Sequence, residues 1–166
     1  MKVTRKFTEA GKDVYETVQW ARRASRIANP DGSVVFEMKD AEVPSSWSQL
    51  ATDIVVSKYF RKAGVPQRDE QGNIIKDEDG KVVTGPERSV RQVVHRLAGC
   101  WRHWGEKHNY FNTTEDAQAF YDEIAYTLLH QICAPNSPQW FNTGLNFAYG
   151  ITGPAPGHWV TDPPTG

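Results

Sequence analysis

Cysteine is scarce in this chain, which has only Cys100 and Cys133 among its 166 residues. Two cysteines cannot form the disulfide framework of a small secreted domain, so the composition indicates a reducing, cytoplasmic environment. A surplus of either charge is missing too, since 19 lysines and arginines stand against 20 aspartates and glutamates. Because binding to nucleic acid needs a concentrated basic face, this balance of charge argues against a nucleic-acid partner.

Long apolar runs are also missing. No stretch approaches the roughly 18 apolar residues of a membrane-spanning helix, and residues 1–8 carry charge without the apolar core of a secretion signal. We therefore expect no membrane partner. What the sequence does have is aromatic bulk, with six Trp, six Tyr and seven Phe. A chain of this length buries roughly 70% of its unfolded surface, enough for one domain with its own core.

The first element that the pattern predicts is a β-hairpin over about residues 17–44. Alternation of apolar and polar side chains starts at 17–20, turn-forming residues occupy 29–32, and β-favouring residues follow at 33–38. The segment 18–27 is also compatible with a helix, because its arginines tolerate either state.

A helix is predicted next, at about 47–63. Ser45 or Ser46 is the expected N-cap, and Gly64 with Pro66 is expected to stop the helix. Its predicted apolar face consists of Trp47, Leu50, Ala51, Ile54 and Val55.

Charged residues dominate the following segment, 67–88, which is predicted as an exposed loop or a small hairpin that turns at Asp79–Gly80. Two longer helices are predicted after it, at about 89–107 and 114–133. Both carry apolar residues at helical spacing, so their apolar faces are expected to pack together.

Four side chains able to bind a metal lie close together in the sequence: His95, Cys100, His103 and His108. On a helix Cys100 and His103 share a face, but the five-residue steps to the other two turn them away. Packed or surface histidines are therefore the favoured interpretation, no metal site is predicted, and a small metal-binding protein remains an alternative.

The best candidate for a binding segment is 135–144. Ser137 supplies a hydroxyl next to a rigid proline, Asn136 and Asn142 supply amides, and the backbone at Gly144 can approach an anion. The same run also fits a tight turn between a helix and a strand. Glycine-rich phosphate loops and the usual serine or cysteine nucleophile motifs do not occur elsewhere in the sequence.

Several strings in one order resemble the N-terminal region of the vitamin B12-dependent, class II ribonucleotide reductases, and the resemblance covers nearly the whole chain. The strings are NPDGSVVF at 29–36, VPSSWSQ at 43–49, KYFRKAGVP at 58–66, RLAGCW at 96–101 and APNSPQWFNTG at 134–144.

The resemblance implies an α+β fold: a mainly helical N-terminal domain with a β-hairpin at 1–133, leading into the truncated start of a ten-stranded α/β barrel at 134–166. It implies an oxidoreductase of the ribonucleoside-diphosphate reductase type, which makes 2′-deoxyribonucleotides for DNA synthesis. In that family adenosylcobalamin generates a cysteine thiyl radical, and the catalytic cysteines are expected on barrel strands beyond Gly166. No catalytic residue is therefore expected here, this chain alone is expected to be inactive, and both of its cysteines are expected to be packing residues.

The resemblance also implies a substrate contact. Ser137 is expected to help hold the substrate's phosphates, with Asn136, Asn142 and Gly144 as companions. The expected partners are a ribonucleotide and the remainder of the reductase, in the same longer chain or in a split C-terminal subunit, and most of the cobalamin site is expected there. The alternative is a stand-alone, non-catalytic interaction module that binds a reductase subunit or another protein through its Trp-rich faces.

Overall fold

The computed structural model describes residues 1–69 and 71–153. Its α+β class and its β-hairpin confirm the predicted fold class for this part of the chain. In order, the elements are a 3₁₀ turn Val14–Thr17, β1 Trp20–Ala28, β2 Val34–Pro44, α1 Gln49–Ile54, a π-helical turn Val55–Tyr59, β3 Val65–Pro66, β4 Thr84–Gly85, α2 Val90–Lys107, α3 Thr114–Leu129, α4 Ser137–Asn142 and α5 Leu145–Tyr149. None of these helices is long and apolar enough to cross a bilayer.

The hairpin is formed by antiparallel pairing of β1 with β2, from Trp20 opposite Pro44 to Ala28 opposite Val34. The helical alternative for 18–27 is therefore wrong. The first strand starts three residues later than predicted, because the 3₁₀ turn occupies the chain up to Thr17. The inner end of β2 is buried, so the hairpin closes one side of the core.

The first helix differs most from its prediction. It begins at Gln49, and its N-cap is Ser48 rather than Ser45 or Ser46, since the Ser48 hydroxyl accepts from the Ala51 N–H at 3.1 Å. The helix widens into the π-helical turn and ends before Phe60, short of residue 63.

The predicted apolar face of this helix is wrong in part. Leu50 is 70% exposed and Ile54 43% exposed. The buried face instead carries Thr52, Val55 and Val56, which recur at the three- and four-residue spacing of a helix. The π-helical turn, with its wider i→i+5 spacing, winds the chain less per residue, so the positions that face the core at this end differ from those of a regular α-helix.

The charged segment forms an arm based on the short β3–β4 pair. Its tip turns at Asp77–Gly80, where the Gly80 N–H donates to the Asp77 carbonyl at 3.0 Å and the Asp77 carboxylate accepts from the Lys81 N–H at 2.8 Å. The arm therefore has the form of the small hairpin that the sequence indicates.

The core lies between the hairpin and the two long helices. Ser89 and Gln92 form a reciprocal capping box at the start of α2, and the Thr113 hydroxyl caps α3. The predicted end of α3 at 133 is wrong, because Gln131 adopts a left-handed conformation (φ 55°) just after Leu129 and turns the chain. The fully buried side chains shared by α2 and α3 are Val90, Val93, Val94, Leu97, Leu128 and Leu129. The division into domains at 133/134 stays a prediction.

Candidate functional site

The four predicted site residues lie at the two ends of one short helix. Asn136 is the N-cap of α4 and Ser137 its first residue, whereas Asn142 is its last and Gly144 follows it. At 1.5 Å per residue, Ser137 and Asn142 are separated by about 8 Å along the helix axis. The structure therefore brings Asn136 and Ser137 together and places Asn142 and Gly144 elsewhere.

The Ser137 side chain is exposed, and its hydroxyl oxygen lies 3.0 Å from the Tyr59 hydroxyl. The Tyr59 ring stacks on Trp140, with ring centroids 5.4 Å apart and planes 15° from parallel. A hydroxyl of the π-helical turn and a hydroxyl of α4 thus form one pair at the surface. Tyr59 could not be predicted from the sequence, because its partner is 78 residues away in the chain.

Asn136 extends the exposed surface at the start of α4. Its side chain makes no capping hydrogen bond, although its extended backbone is that of an N-cap. The N–H groups of Gln139 and Trp140 donate to the Asn136 carbonyl, at 3.1 and 3.4 Å, and Pro138 has no N–H. A side-chain amide and a hydroxyl therefore adjoin one another at this end.

Gly144 has a different role in the structure. It is buried and left-handed (φ 80°), and a methyl group on its Cα would collide with the main-chain carbonyl of Arg96. Burial raises the pKa of the Cys100 thiol, although the main chain of Gly144 acts to lower it. Gly144 lets the chain after α4 press directly against α2.

Arg96 is the residue that holds α4 in place. Its side chain is fully buried and pairs with buried Glu87 at 2.8 Å. One terminal nitrogen donates to the carbonyls of Trp140 at 2.7 Å and Tyr59 at 3.1 Å. The other terminal nitrogen donates to the carbonyl of Thr143 at 2.9 Å. One guanidinium therefore ties the π-helical turn and α4 to α2.

Glu87 is satisfied on both carboxylate oxygens. Besides Arg96, it accepts from the main-chain N–H of Arg61 and from the Tyr149 hydroxyl, both at 2.7 Å. Burial, and then the negative charge of Glu87, raise the pKa of Tyr149 above its ordinary value. A buried charge pair with this many partners avoids the cost of an unpaired charge.

The sequence contains a signal for the buried pair of Arg96 and Glu87. Arg96 lies between Val93 and Leu97, inside the apolar stripe that predicts α2. A charge on a buried helix face requires a partner of opposite charge. Helical spacing therefore identifies Arg96 as one half of a buried ion pair, but it does not identify the acidic partner.

The metal-capable side chains on α2 do not converge. His95 Nδ1 lies 2.9 Å from the Tyr121 hydroxyl, and the His103 ring packs on Phe147 with centroids 5.5 Å apart. Within residues 1–69 and 71–153, no three His, Cys, Asp or Glu side chains are placed to hold a metal ion.

Comparisons with known proteins point to one family. Residues 21–131 match a family model described as class II vitamin B12-dependent ribonucleotide reductase. The chain is 47% identical to vitamin B12-dependent ribonucleotide reductases of Agrobacterium fabrum and of Bradyrhizobium diazoefficiens, each alignment covering 100% of this chain. It is 41% identical to that of Rhodopirellula baltica over 86% of this chain. The chain spans 12 to 14% of the length of these relatives.

Proposed function

Because the chain belongs to the class II vitamin B12-dependent ribonucleotide reductases, we propose that it is the N-terminal part of an enzyme that reduces ribonucleotides to 2′-deoxyribonucleotides. The reaction is a radical reduction that supplies DNA precursors in the cytoplasm. The observation that carries this proposal is 47% identity along the whole chain to two such reductases. The remainder of the reductase, in the same chain or in a split subunit, is the proposed partner.

Within that enzyme, residues 1–133 are the supporting domain and 134–166 the entry to the catalytic barrel. The packing of α4 on α2 supports this arrangement, because a fully buried arginine fixes the position at which the later segment leaves the domain. The last part of this range, 154–166, lies outside the residues that the structure describes.

Ser137 and Asn136 are the proposed contacts to the substrate's phosphates. The Ser137 hydroxyl is exposed, and it shares its surface with the side-chain amide of Asn136, which makes no capping hydrogen bond. Hydroxyl and N–H donors of this kind can surround phosphate oxygens without a lysine.

Asn142 is a weaker companion in this proposal. It lines a separate cleft of about 400 Å³ with three cationic side chains, those of Lys58, Arg61 and Lys62. Gly144 contributes indirectly, since its α-carbon packs against the main-chain carbonyl of Arg96.

The family requires cobalamin, and adenosylcobalamin is the proposed form. The described residues do not fit it by themselves. The cleft between α2, the end of α4 and α5, about 500 Å³, has the size suited to a drug-sized ligand rather than to a corrin with its nucleotide arm. No step of the reaction is therefore assigned to this chain through the cofactor.

No catalytic role is proposed for either cysteine. Cys100 is a buried packing residue, as expected. The same expectation is wrong for Cys133, which is exposed and whose thiol donates to the Thr127 hydroxyl at 3.2 Å. The radical-bearing and redox cysteines are proposed to lie in the part of the relatives that this chain does not match. This chain alone is expected to reduce no nucleotide.

The test is Ser137→Ala in a full-length reductase that contains this chain. Loss of one phosphate hydrogen bond, about 1–2 kcal/mol, corresponds to a rise in the ribonucleotide KM of about 5- to 30-fold. Ser33→Ala is the matched control, because Ser33 is also exposed and lies in the turn of the β-hairpin, where it is bonded to Asp31. An unchanged KM in Ser137→Ala would remove the phosphate contact from the proposal.

A second candidate, the stand-alone interaction module, is favoured by one observation. An apolar cavity of about 280 Å³ lies between α1, the end of α3 and the start of α4. Exposed apolar side chains flank it, among them Leu50, Ile54 and Ile132. Mixing this chain with the remainder of the reductase separates the candidates, because a subunit restores reductase activity on association whereas a module binds without restoring it.

A further inference from the structure

We propose that Arg96 is a positioning residue for the substrate-phosphate contact, holding the main chain on both sides of the Ser137–Tyr59 hydroxyl pair. The inference rests on the proposed function of Ser137. It adds a residue that touches no substrate and acts by fixing where the two hydroxyls stand.

The geometry of the guanidinium carries the first step. Its donors reach carbonyls in two elements that are otherwise separate in sequence, the π-helical turn at Tyr59 and α4 at Trp140 and Thr143. The side chains of the same two elements meet at the surface, where the Tyr59 and Ser137 hydroxyls lie 3.0 Å apart. The π-helical turn and α4 therefore contact each other at the surface through their hydroxyls and are joined in the core through their carbonyls on Arg96.

The length of α4 carries the second step. A helix of six residues has too few internal hydrogen bonds to be stable alone, and the carbonyls of its last turn have no intrahelical partner. Arg96 supplies donors to the carbonyls of Trp140 and Thr143 in that turn. The position of Ser137, at the other end of the same helix, consequently depends on Arg96.

The third step is that the site requires arginine rather than any cation. The Nε group of Arg96 is bonded to Glu87 at 2.8 Å, while its terminal nitrogens serve three carbonyls in different directions. A lysine has the charge but lacks the planar fork of donors. Arg96→Lys therefore keeps the buried charge opposite Glu87 and loses the hold on α4.

The hydroxyl pair explains how the position of α4 affects the affinity for the substrate's phosphates. Either hydroxyl can donate in this pair. In the arrangement in which Tyr59 donates to the Ser137 oxygen, the serine proton points at a phosphate oxygen, and such chained hydrogen bonds strengthen one another. A shift of α4 relative to the π-helical turn breaks that alignment without removing either hydroxyl.

The test is a double-mutant cycle in the full-length, cofactor-loaded reductase. It compares Arg96→Lys, Ser137→Ala and the double variant, with Arg102→Lys as control, since Arg102 lies on the same helix in a surface pair with Glu106. We expect Arg96→Lys to raise the ribonucleotide KM about tenfold with kcat changed less than about threefold. We expect the double variant to match Ser137→Ala within about twofold, because the two residues act through one contact.

The outcomes separate the two proposals. If Ser137→Ala leaves KM unchanged, the phosphate contact itself is wrong. If Ser137→Ala raises KM and Arg96→Lys does not, the contact stands and the positioning role is overturned. If the two KM effects multiply fully, Arg96 acts independently of Ser137, which also overturns the inference.

A second variant keeps the inference testable if Arg96→Lys does not fold. Tyr59→Phe removes one hydroxyl of the pair and leaves the main-chain carbonyl on Arg96. It is expected to raise KM about threefold or more, the effect of one neutral hydrogen bond. An unchanged KM in Tyr59→Phe would overturn the role assigned to the pair.

Discussion

The α2–α3 core and the α4–α5 segment are stabilised in different ways. The long helices have capped first turns and pack through fully buried aliphatic side chains such as Leu97 and Leu129. In contrast, α4 and α5 have six and five residues, neither has a side-chain cap, and a buried ion pair holds the segment to α2. Local sequence suffices for the first region, whereas the second takes its shape from contacts made elsewhere in the chain.

The largest effect is expected from removing the charge that joins the two regions. Arg96→Met leaves Glu87 buried without its partner, a change that costs about 3–5 kcal/mol. Denaturant unfolding should show this loss of stability together with loss of hydrogen-exchange protection at residues 137–142. Arg102→Met, which disrupts a surface pair with Glu106 and a hydrogen bond to Gln118, should cost less, about 1–2 kcal/mol. Equal losses in the two variants would contradict the buried pair's role.

A smaller loss is expected at the point where the two regions touch. Gly144 is left-handed and lies against the Arg96 carbonyl, so Gly144→Ala introduces both backbone strain and a collision. We expect about 1–3 kcal/mol of lost stability, measured by thermal unfolding. Gly11→Ala is a suitable control, because Gly11 is also left-handed but has open space around its α-carbon. If Gly144→Ala lowered stability no more than Gly11→Ala does, close packing of Gly144 on Arg96 would be unimportant.

The smallest effect on stability is expected at the hydrogen bond between Tyr149 and Glu87. Tyr149→Phe removes one hydrogen bond to the carboxylate, which is worth about 1–2 kcal/mol at neutral pH. Because the folded state raises the pKa of Tyr149, the unfolded chain releases this proton first. The free energy of unfolding should therefore fall as pH rises above about 10, and Tyr149→Phe should reduce that slope. An identical slope in wild type and Tyr149→Phe would contradict the coupling of Tyr149 to Glu87.

The same contrast explains how far the sequence could be interpreted. Ser89 and Thr113 stand where the helical pattern begins, and both cap their helices as local chemistry requires. The hairpin turn at residues 29–32 follows equally from local preferences. For α1 the pattern was misleading, because three serines precede Gln49 and only the packing of Thr52 and Val55 decides which of them is the cap.

The candidate site could be predicted only in part. The hydroxyl and amide chemistry of Ser137 and Asn136 is visible in the sequence, and the resemblance to a known family assigns it a role. A short helix in place of a turn was not predicted, because its stability comes from Arg96 and Glu87, nine residues apart and 41 or more residues before Ser137. Tyr59 was not predicted either, since the pairing of two hydroxyls is a tertiary contact.

The central claim is that the buried arginine positions a phosphate contact and does more than stabilise the fold. The most direct measurement compares the ribonucleotide KM of Arg96→Lys with that of Leu97→Ala in the full-length reductase. Leu97 is the fully buried neighbour on α2, and its truncation costs about 2–5 kcal/mol of stability through the core alone. We predict that KM rises about tenfold in Arg96→Lys and stays at the wild-type value in Leu97→Ala. An equal KM in the two variants would contradict the claim.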